Sequence, residues 1–155
     1  MFVLSANPPH KTANSVTPAE ERYEMVRLAV KGNPCFEACD LELRRKEPSY
    51  TVDTVKELDA LYPGREKYLI IGIDEAQNFG NWRSWETILE SCTVAAAWRP
   101  GFPQLETELP IVCFEAPLMK ISSSDIRQRA ALGRSFRYLV PDCIYEYITD
   151  KGLYL

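Results

Sequence analysis

Hydrophobic and polar positions follow two periods along this chain. Short continuous apolar runs, typical of strands buried on both faces of a parallel sheet, occur at residues 68–73, 93–98 and 111–114. A shorter apolar run at 2–4 and a loosely alternating stretch at 36–43 also predict strands. Between these runs, apolar residues recur at the three- and four-residue spacing of a helix face.

Helices are predicted wherever the longer period holds. The first opens at Thr17-Pro18-Ala19-Glu20, a capping-box pattern with proline at the first helical position, and ends before Gly32. The others are predicted at 51–62, 85–90, 123–132 and 141–151. Strands alternating with helices of this length predict an α/β fold with an open parallel sheet, whose ligands bind beyond the carboxyl ends of the strands.

Length and charge exclude several classes of protein. The 155 residues fit a single domain spanning 1–155. Eighteen basic against twenty-two acidic residues give a net charge of −4, which argues against a general nucleic-acid or anionic-membrane surface. No apolar run approaches the ~18 residues of a membrane span, and the first residues lack the pattern of a signal peptide. We therefore expect a cytoplasmic protein without nucleic-acid or membrane partners.

The cysteines predict neither disulfides nor a metal centre. The chain has five cysteines, an odd number without a C-x-x-C pair, and one histidine. A zinc site would need thiolates that are far apart in the sequence. Reduced thiols are the expected state, and no protein-bound metal site is predicted.

Polar residues cluster after the predicted strands. Residues 7–11 follow the first strand, Asp74 follows the strand at 68–73, and Arg99 follows the strand at 93–98. The segment 121–127 leads into a helix, where free backbone N–H groups, serine hydroxyls and Arg127 one turn later can bind phosphate. The alternative is structural: Ser122 and Asp125 form no more than an S-x-x-D capping pair.

Several sequence blocks occur in one order over residues 2–154. They are Pro8-Pro9-His10-Lys11, Ser49-Tyr50-Thr51 with Asp53-Thr54, Gly72-Ile73-Asp74 with Trp82, Arg99-Pro100-Gly101, Ile121-Ser122-Ser123-Ser124-Asp125-Ile126-Arg127, and Tyr138-Leu139-Val140-Pro141 with Gly152-Leu153-Tyr154. In this order and spacing the chain resembles the bacterial nicotinate-nucleotide adenylyltransferases of the nucleotidyltransferase superfamily. The block at 121–127 is shared with the whole superfamily, whereas the blocks at 8–11, 49–54 and 72–82 narrow the resemblance to this family.

The resemblance implies a Rossmann-like open parallel sheet of the nucleotidyltransferase type and a reaction in NAD biosynthesis. Members transfer AMP from ATP to nicotinate mononucleotide, giving nicotinate adenine dinucleotide and pyrophosphate. Mg²⁺ is expected on the phosphates of ATP, and no covalent enzyme intermediate forms. Such catalysis depends on positioning and charge stabilisation. A preference for nicotinamide mononucleotide is the close alternative.

The resemblance also implies roles for particular residues in ATP binding. Lys11 and Arg127 are the expected catalytic residues, since both would contact the reacting phosphates. Gly72 and Asp74 would lie against the adenosine, with Arg99 a weaker candidate on the adenine side. The residues expected to hold the ATP phosphates are Ser123, Ser124, Arg127, Lys11 and His10. As alternatives, Asp74 caps the next helix, and Lys11 and His10 are solvated loop residues.

The implied mononucleotide site has its own residues. Trp82 would stack on the pyridine ring, and Tyr50 with Thr51 would seat the ring and its carboxylate. The alternative for Trp82 is that it packs against Trp85 in the hydrophobic core, as most aromatic residues do.

One departure from the family pattern concerns the start of the chain. The family opens with a strand, a G-G-x-F-x-P-x-H-x-G-H loop and a helix, about 30 residues, and this sequence has none of that segment. We expect Met1 to be an internal methionine, with the first βα unit and its phosphate-binding histidines missing from this chain. As written, the sheet should leave an apolar face open, which makes self-association possible. The second hypothesis is a non-catalytic protein that retains only the nucleotide-binding site.

Overall fold

The computed structural model describes residues 1–8, 17–98, 105–117 and 119–155. Two compact units are present, one formed by Met1–Pro48 with Lys120–Leu155 and the other by Ser49–Met119. Both contain parallel strands and helices, which agrees with the predicted α/β class. The expectation of a single domain stays a prediction.

In its described residues, the first unit has a two-stranded parallel sheet, three α-helices and a 3₁₀ helix. Strand β1 (Phe2–Val3) pairs with β2 (Ala38–Cys39), with Phe2 opposite Ala38. The helices of this unit are α1 (Ala19–Val30), α5 (Ser123–Ala131) and α6 (Asp142–Asp150).

The strand predicted at 36–43 is wrong for its second half. After β2 the chain forms a 3₁₀ helix, Leu41–Arg44. Leu41 and Glu42 are adjacent in the sequence and both are buried, whereas neighbouring side chains in a strand point to opposite faces. The predicted strand is therefore limited to Ala38–Cys39.

The predicted capping box at the start of α1 is also wrong. Pro18 is the N-cap residue, and it makes no side-chain cap hydrogen bond. The hydroxyl of Thr17 instead donates to Oη of Tyr154 at 3.0 Å. The guanidinium of Arg22 donates to the carbonyl oxygens of Ser5, Ala6 and Thr17 at 2.7, 2.9 and 2.9 Å, which links the segment after β1 to the start of α1. Contacts with distant residues therefore hold the start of α1, in place of the predicted capping box.

Helices α1 and α6 are joined by a polar contact beside a shared core. Buried Ile144 and Ile148 of α6 pack with Leu28 of α1. At the edge of this core, the hydroxyl of Tyr147 donates to the carboxylate of Glu21. This hydrogen bond, with burial and the negative charge as lesser causes, raises the pKa of Tyr147 to about 12.

Replacing Tyr147 by phenylalanine is expected to lower the free energy of unfolding by about 1 kcal/mol at neutral pH, because a hydrogen bond to a charged group is lost at a partly exposed site. The pKa of Tyr147 is raised from 10.0 to about 12 on folding, so its stabilisation is complete below pH 10 and is lost as the pH rises toward 12. Urea unfolding of both proteins between pH 7 and 11.5 measures this.

The matched control is Tyr145→Phe, on the same helix, whose ring packs on Phe136 and whose hydroxyl has no recorded hydrogen bond in the described part of the chain. At pH 7 the Tyr145→Phe change should cost less stability than Tyr147→Phe, because no hydrogen bond to a charged group is lost. A Tyr147→Phe difference that stays constant to pH 11.5 would contradict the assignment.

The second unit is a three-stranded parallel sheet with helices. The strands β3 (Tyr68–Gly72), β4 (Thr93–Trp98) and β5 (Val112–Glu115) lie in the order β3-β4-β5, with Leu69 opposite Val94 and Ala96 opposite Cys113. The helices are α2 (Thr51–Leu61), α3 (Ile73–Gln77) and α4 (Trp85–Ser91). A 3₁₀ helix, Phe79–Asn81, precedes α4.

One face of this sheet is packed and the other is open. Leu69 and Val94 pack with residues of α2 and α4 in a core that includes Phe79, which is fully buried. On the opposite face Ile70 is 68% exposed and Val112 54% exposed. The prediction of strands buried on both faces is therefore wrong for β3 and β5 and right for the centre of β4. An apolar run shows that both faces of a strand can be buried, but it does not show that other residues cover them.

The helices are all short. None in the described ranges is long and apolar enough to cross a membrane.

Candidate active site

The beginning of α5 carries the residues predicted to bind phosphate and lies in the unit that contains both termini. Ser122 is the N-cap residue, and its Oγ accepts a hydrogen bond from the backbone N–H of Asp125 at 3.1 Å. The Asp125 carboxylate accepts from Nε of Arg129 at 2.9 Å. The structural alternative is thus correct for Ser122, which is occupied as a cap.

Other polar groups at the N-terminus of α5 remain exposed beside Ser122. Ser123, Ser124 and Arg127 are exposed, and Nη2 of Arg127 donates to Oγ of Ser124 at 3.2 Å. The backbone N–H groups of Ser123 and Ser124 occupy the first turn of α5, where no intrahelical acceptor exists. Two amide donors, two hydroxyls and a guanidinium therefore share one exposed helix N-terminus, a site suited to an anion.

The end of β3, in the unit 49–119, carries the two residues predicted to contact adenosine. Gly72 ends the strand and is the N-cap of α3, and Asp74 lies exposed in the first turn of that helix. A Cβ atom built on Gly72 would lie 2.5 Å from Oδ1 of Asp74. Glycine at this position allows the carboxylate to lie against the end of the strand. The alternative that Asp74 caps the helix is wrong, because Gly72 holds the cap position.

Two aromatic side chains lie at the edge of the core in the same unit. Tyr50 is the N-cap of α2, directly before Thr51, and Trp82 directly follows the 3₁₀ helix. Both rings are half-buried and pack against the same core cluster. The Trp82 ring contacts Phe79 with centroids 5.2 Å apart. Trp82 therefore has one side fixed by packing while part of its surface remains accessible.

Sequence reasoning missed Arg83. Its guanidinium carbon lies 4.7 Å from the centroid of the Tyr50 ring. The packing of α2 beside α4 brings the two residues together, and Ser84, with φ of 51°, turns the chain into α4. A basic residue between Trp82 and Trp85 was the signal available in the sequence.

The predicted residues His10, Lys11 and Arg99 lie outside the described residues. Their roles stay predictions. The structure brings Ser124 together with Arg127 and Gly72 with Asp74, and it places Tyr50 and Trp82 on one core cluster.

Comparison with known proteins identifies the family. The family model described as Cytidylyltransferase-like matches residues 1–129. Two curated relatives are named "Probable nicotinate-nucleotide adenylyltransferase". The one from Geobacillus thermodenitrificans is 43% identical over 99% of this chain and 70% of its own length. The one from Thermus thermophilus is 46% identical over 99% of this chain and 82% of its own length. The chain belongs to the nicotinate-nucleotide adenylyltransferase family.

Solved structures agree on the fold of this family. The nicotinic acid mononucleotide adenylyltransferase of Plasmodium falciparum, solved in complex with NaAD, superimposes with a TM-score of 0.70 over 98% of this chain and 80% of that protein. The sequences are 16% identical, so the likeness concerns the fold. The predicted nucleotidyltransferase-type Rossmann-like fold is confirmed.

Replacing Gly72 by alanine tests the β3 end of the site. The added Cβ should push the Asp74 carboxylate aside, because the two atoms would otherwise lie 2.5 Å apart. If Asp74 binds the ribose, losing one hydrogen bond to a charged group raises the KM for ATP by about tenfold. The unfolding free energy should change little, because Gly72 has a φ of −75° that any residue adopts.

The control is Gly80→Ala, where the nearest atom to the new Cβ is a leucine methyl at an ordinary 3.8 Å. Steady-state kinetics at saturating mononucleotide measure both variants. An unchanged KM for ATP in Gly72→Ala would show that Asp74 does not bind the adenosine.

Proposed function

We propose that this protein transfers the adenylyl group of ATP to nicotinate mononucleotide, releasing pyrophosphate and forming nicotinate adenine dinucleotide. The observation that carries the proposal is the identity with relatives of that name over nearly the whole chain. The described parts of the site support it with an anion site at α5 and an aromatic site beside α2.

The phosphates of ATP would bind at the N-terminus of α5. Ser123 and Ser124 offer backbone N–H groups and hydroxyls, and Arg127 offers a guanidinium beside Ser124. Donors fixed in place before the reaction stabilise negative charge as it develops, without reorganising. Lys11 and His10 are proposed to add positive charge at the same phosphates.

The adenosine and the mononucleotide would bind in the unit 49–119. Gly72 and Asp74 are proposed to contact the adenosine, with Arg99 near the adenine. The pyridine ring is proposed to stack on Trp82, next to Tyr50 and Thr51. A half-buried indole fixed by Phe79 is a suitable platform, because aromatic stacking is worth roughly 1–3 kcal/mol per ring.

The reaction itself needs no protein nucleophile. An oxygen of the mononucleotide phosphate attacks the α-phosphorus of ATP, the new P–O bond forms, and the bond to the bridging oxygen of the β-phosphate breaks. The electron pair leaves with pyrophosphate. Arg127 and the α5 amides would stabilise the charge that moves to the leaving group, and the remaining contacts would hold the two phosphates in line.

Mg²⁺ is proposed to enter with ATP as part of that substrate. Mg²⁺ is commonly bound through substrate phosphates and water rather than by a cage of protein ligands. The part of the chain that the structure describes has no group of three His, Cys, Asp or Glu side chains placed to hold a metal.

We propose the cytoplasm as the place of this activity. All five cysteines are free thiols, as is usual in a reducing compartment.

The test incubates the 155-residue chain with ATP, Mg²⁺ and nicotinate mononucleotide and follows both products by liquid chromatography with mass spectrometry. Nicotinate adenine dinucleotide and pyrophosphate should appear in equal amounts and only when both substrates are present. Calorimetric titration with each nucleotide accompanies the assay. ATP binding without product would favour the non-catalytic nucleotide-binding hypothesis, and binding of neither nucleotide would contradict the proposal.

A further inference from the structure

Arg83 is an exposed arginine that lies over an aromatic ring. Its side chain is 59% exposed, yet the guanidinium carbon is held 4.7 Å from the centre of the Tyr50 ring. A cation at this distance from an aromatic face is attracted by the electrons of the ring. The contact holds the guanidinium over the Tyr50 ring, at the N-terminal end of α2.

The N–H groups of Arg83 are not consumed by this stacking. Nη1 lies 3.9 Å from Oδ2 of Asp53, which is longer than a hydrogen bond. No hydrogen bond from the Arg83 side chain to another part of the described chain is recorded. The guanidinium is planar, and its N–H groups lie in the geometry that pairs with both oxygens of a carboxylate.

The surroundings of Arg83 suit an aromatic carboxylate. Trp82 precedes it in the sequence, and the rings of Trp82 and Tyr50 lie on one core cluster. Asp53 is the acidic side chain recorded beside the guanidinium, and its long, exposed contact contributes little. A ligand carboxylate in hydrogen-bonding range of Arg83 can therefore displace Asp53 at small cost.

We propose that Arg83 pairs with the pyridine carboxylate of nicotinate mononucleotide and thereby selects the acid over the amide form. The inference rests on the proposed function and deepens it. A carboxamide carries no charge, so nicotinamide mononucleotide would gain little from the guanidinium. The preference for the acid form then follows from one charge-assisted contact between Arg83 and the carboxylate.

The test compares Arg83→Gln and Arg83→Lys with the unchanged protein. We expect Arg83→Gln to lower kcat/KM for nicotinate mononucleotide about tenfold, the value of one hydrogen bond to a charged group. kcat/KM for nicotinamide mononucleotide and the KM for ATP should stay unchanged. Arg83→Lys keeps the charge without the planar donors and should fall between the two. Calorimetric affinities for both mononucleotides give the same ratio independently of turnover.

The control is Arg65→Gln, an exposed arginine beyond the other end of α2, which should leave both substrates unaffected. Equal losses for the acid and the amide in Arg83→Gln would show that Arg83 only packs on Tyr50, and would overturn the inference. The ratio of kcat/KM for the acid to kcat/KM for the amide decides the inference. If this ratio is the same in every variant, the inference fails. The proposed function still stands in that case, provided that the unchanged protein uses nicotinate mononucleotide. If the unchanged protein binds neither mononucleotide, both fail.

Discussion

Replacing Arg127 by alanine is expected to lower kcat for adenylyl transfer about a hundredfold, the effect of removing one fixed donor from developing charge in a transition state. Arg127 lies one turn into α5 and donates to Ser124, so its guanidinium shares the exposed helix end with the free amides of the first turn. The affinity for ATP should fall as well, since the same group contacts the phosphates before the reaction. Stopped assays and calorimetric titration with ATP measure the two effects.

The matched control for Arg127 is Arg129→Ala on the same helix. Two positions along an α-helix are about 200° apart around its axis, and Arg129 pairs with Asp125 rather than facing Ser124. Its loss should leave kcat within about twofold, since an exposed ion pair contributes little. Wild-type kinetics in Arg127→Ala would remove α5 from the proposed ATP site.

Replacing Trp82 by alanine is expected to raise the KM for nicotinate mononucleotide roughly tenfold to a hundredfold, because stacking on an aromatic ring contributes roughly 1–3 kcal/mol. The KM for ATP should change far less. The conservative variant Trp82→Phe retains a ring and the contact with Phe79, and it should recover much of the loss.

Trp85→Phe separates stacking from packing. Trp85 lies on the same core cluster as Trp82, so its replacement costs stability through the core without removing the proposed platform. Both tryptophan variants are also unfolded in urea to measure that cost. If Trp82→Ala raises both KM values equally, then Trp82 serves the core only.

The parts of this protein that were predictable depend on contacts between near neighbours in the sequence. Helix α2 was predicted at 51–62 and spans Thr51–Leu61, and α5 was predicted at 123–132 and spans Ser123–Ala131. The apolar spacing and the polar first turn that favour each helix involve residues only a few positions apart. The capping role of Ser122 was available as an alternative for the same reason.

The errors arose where a distant part of the chain decides the outcome. The Thr17 hydroxyl bonds to Tyr154 at the other end of the chain instead of capping α1. The run at 68–73 contains Ile70, which is 68% exposed, and it ends in a helix that begins at Ile73. An apolar side chain can be buried, but whether it is buried depends on residues from other parts of the chain that pack over it.

The sequence by itself determined the α/β class, most of the strands and the longer helices, and its motif blocks already indicated the family. Those properties follow from hydrophobic period and from residue types at short spacing. Only the tertiary structure decided that the guanidinium of Arg83 lies over the ring of Tyr50. Residues as far apart as 50 and 83 meet because α2 and α4 pack side by side, and no local pattern encodes that contact.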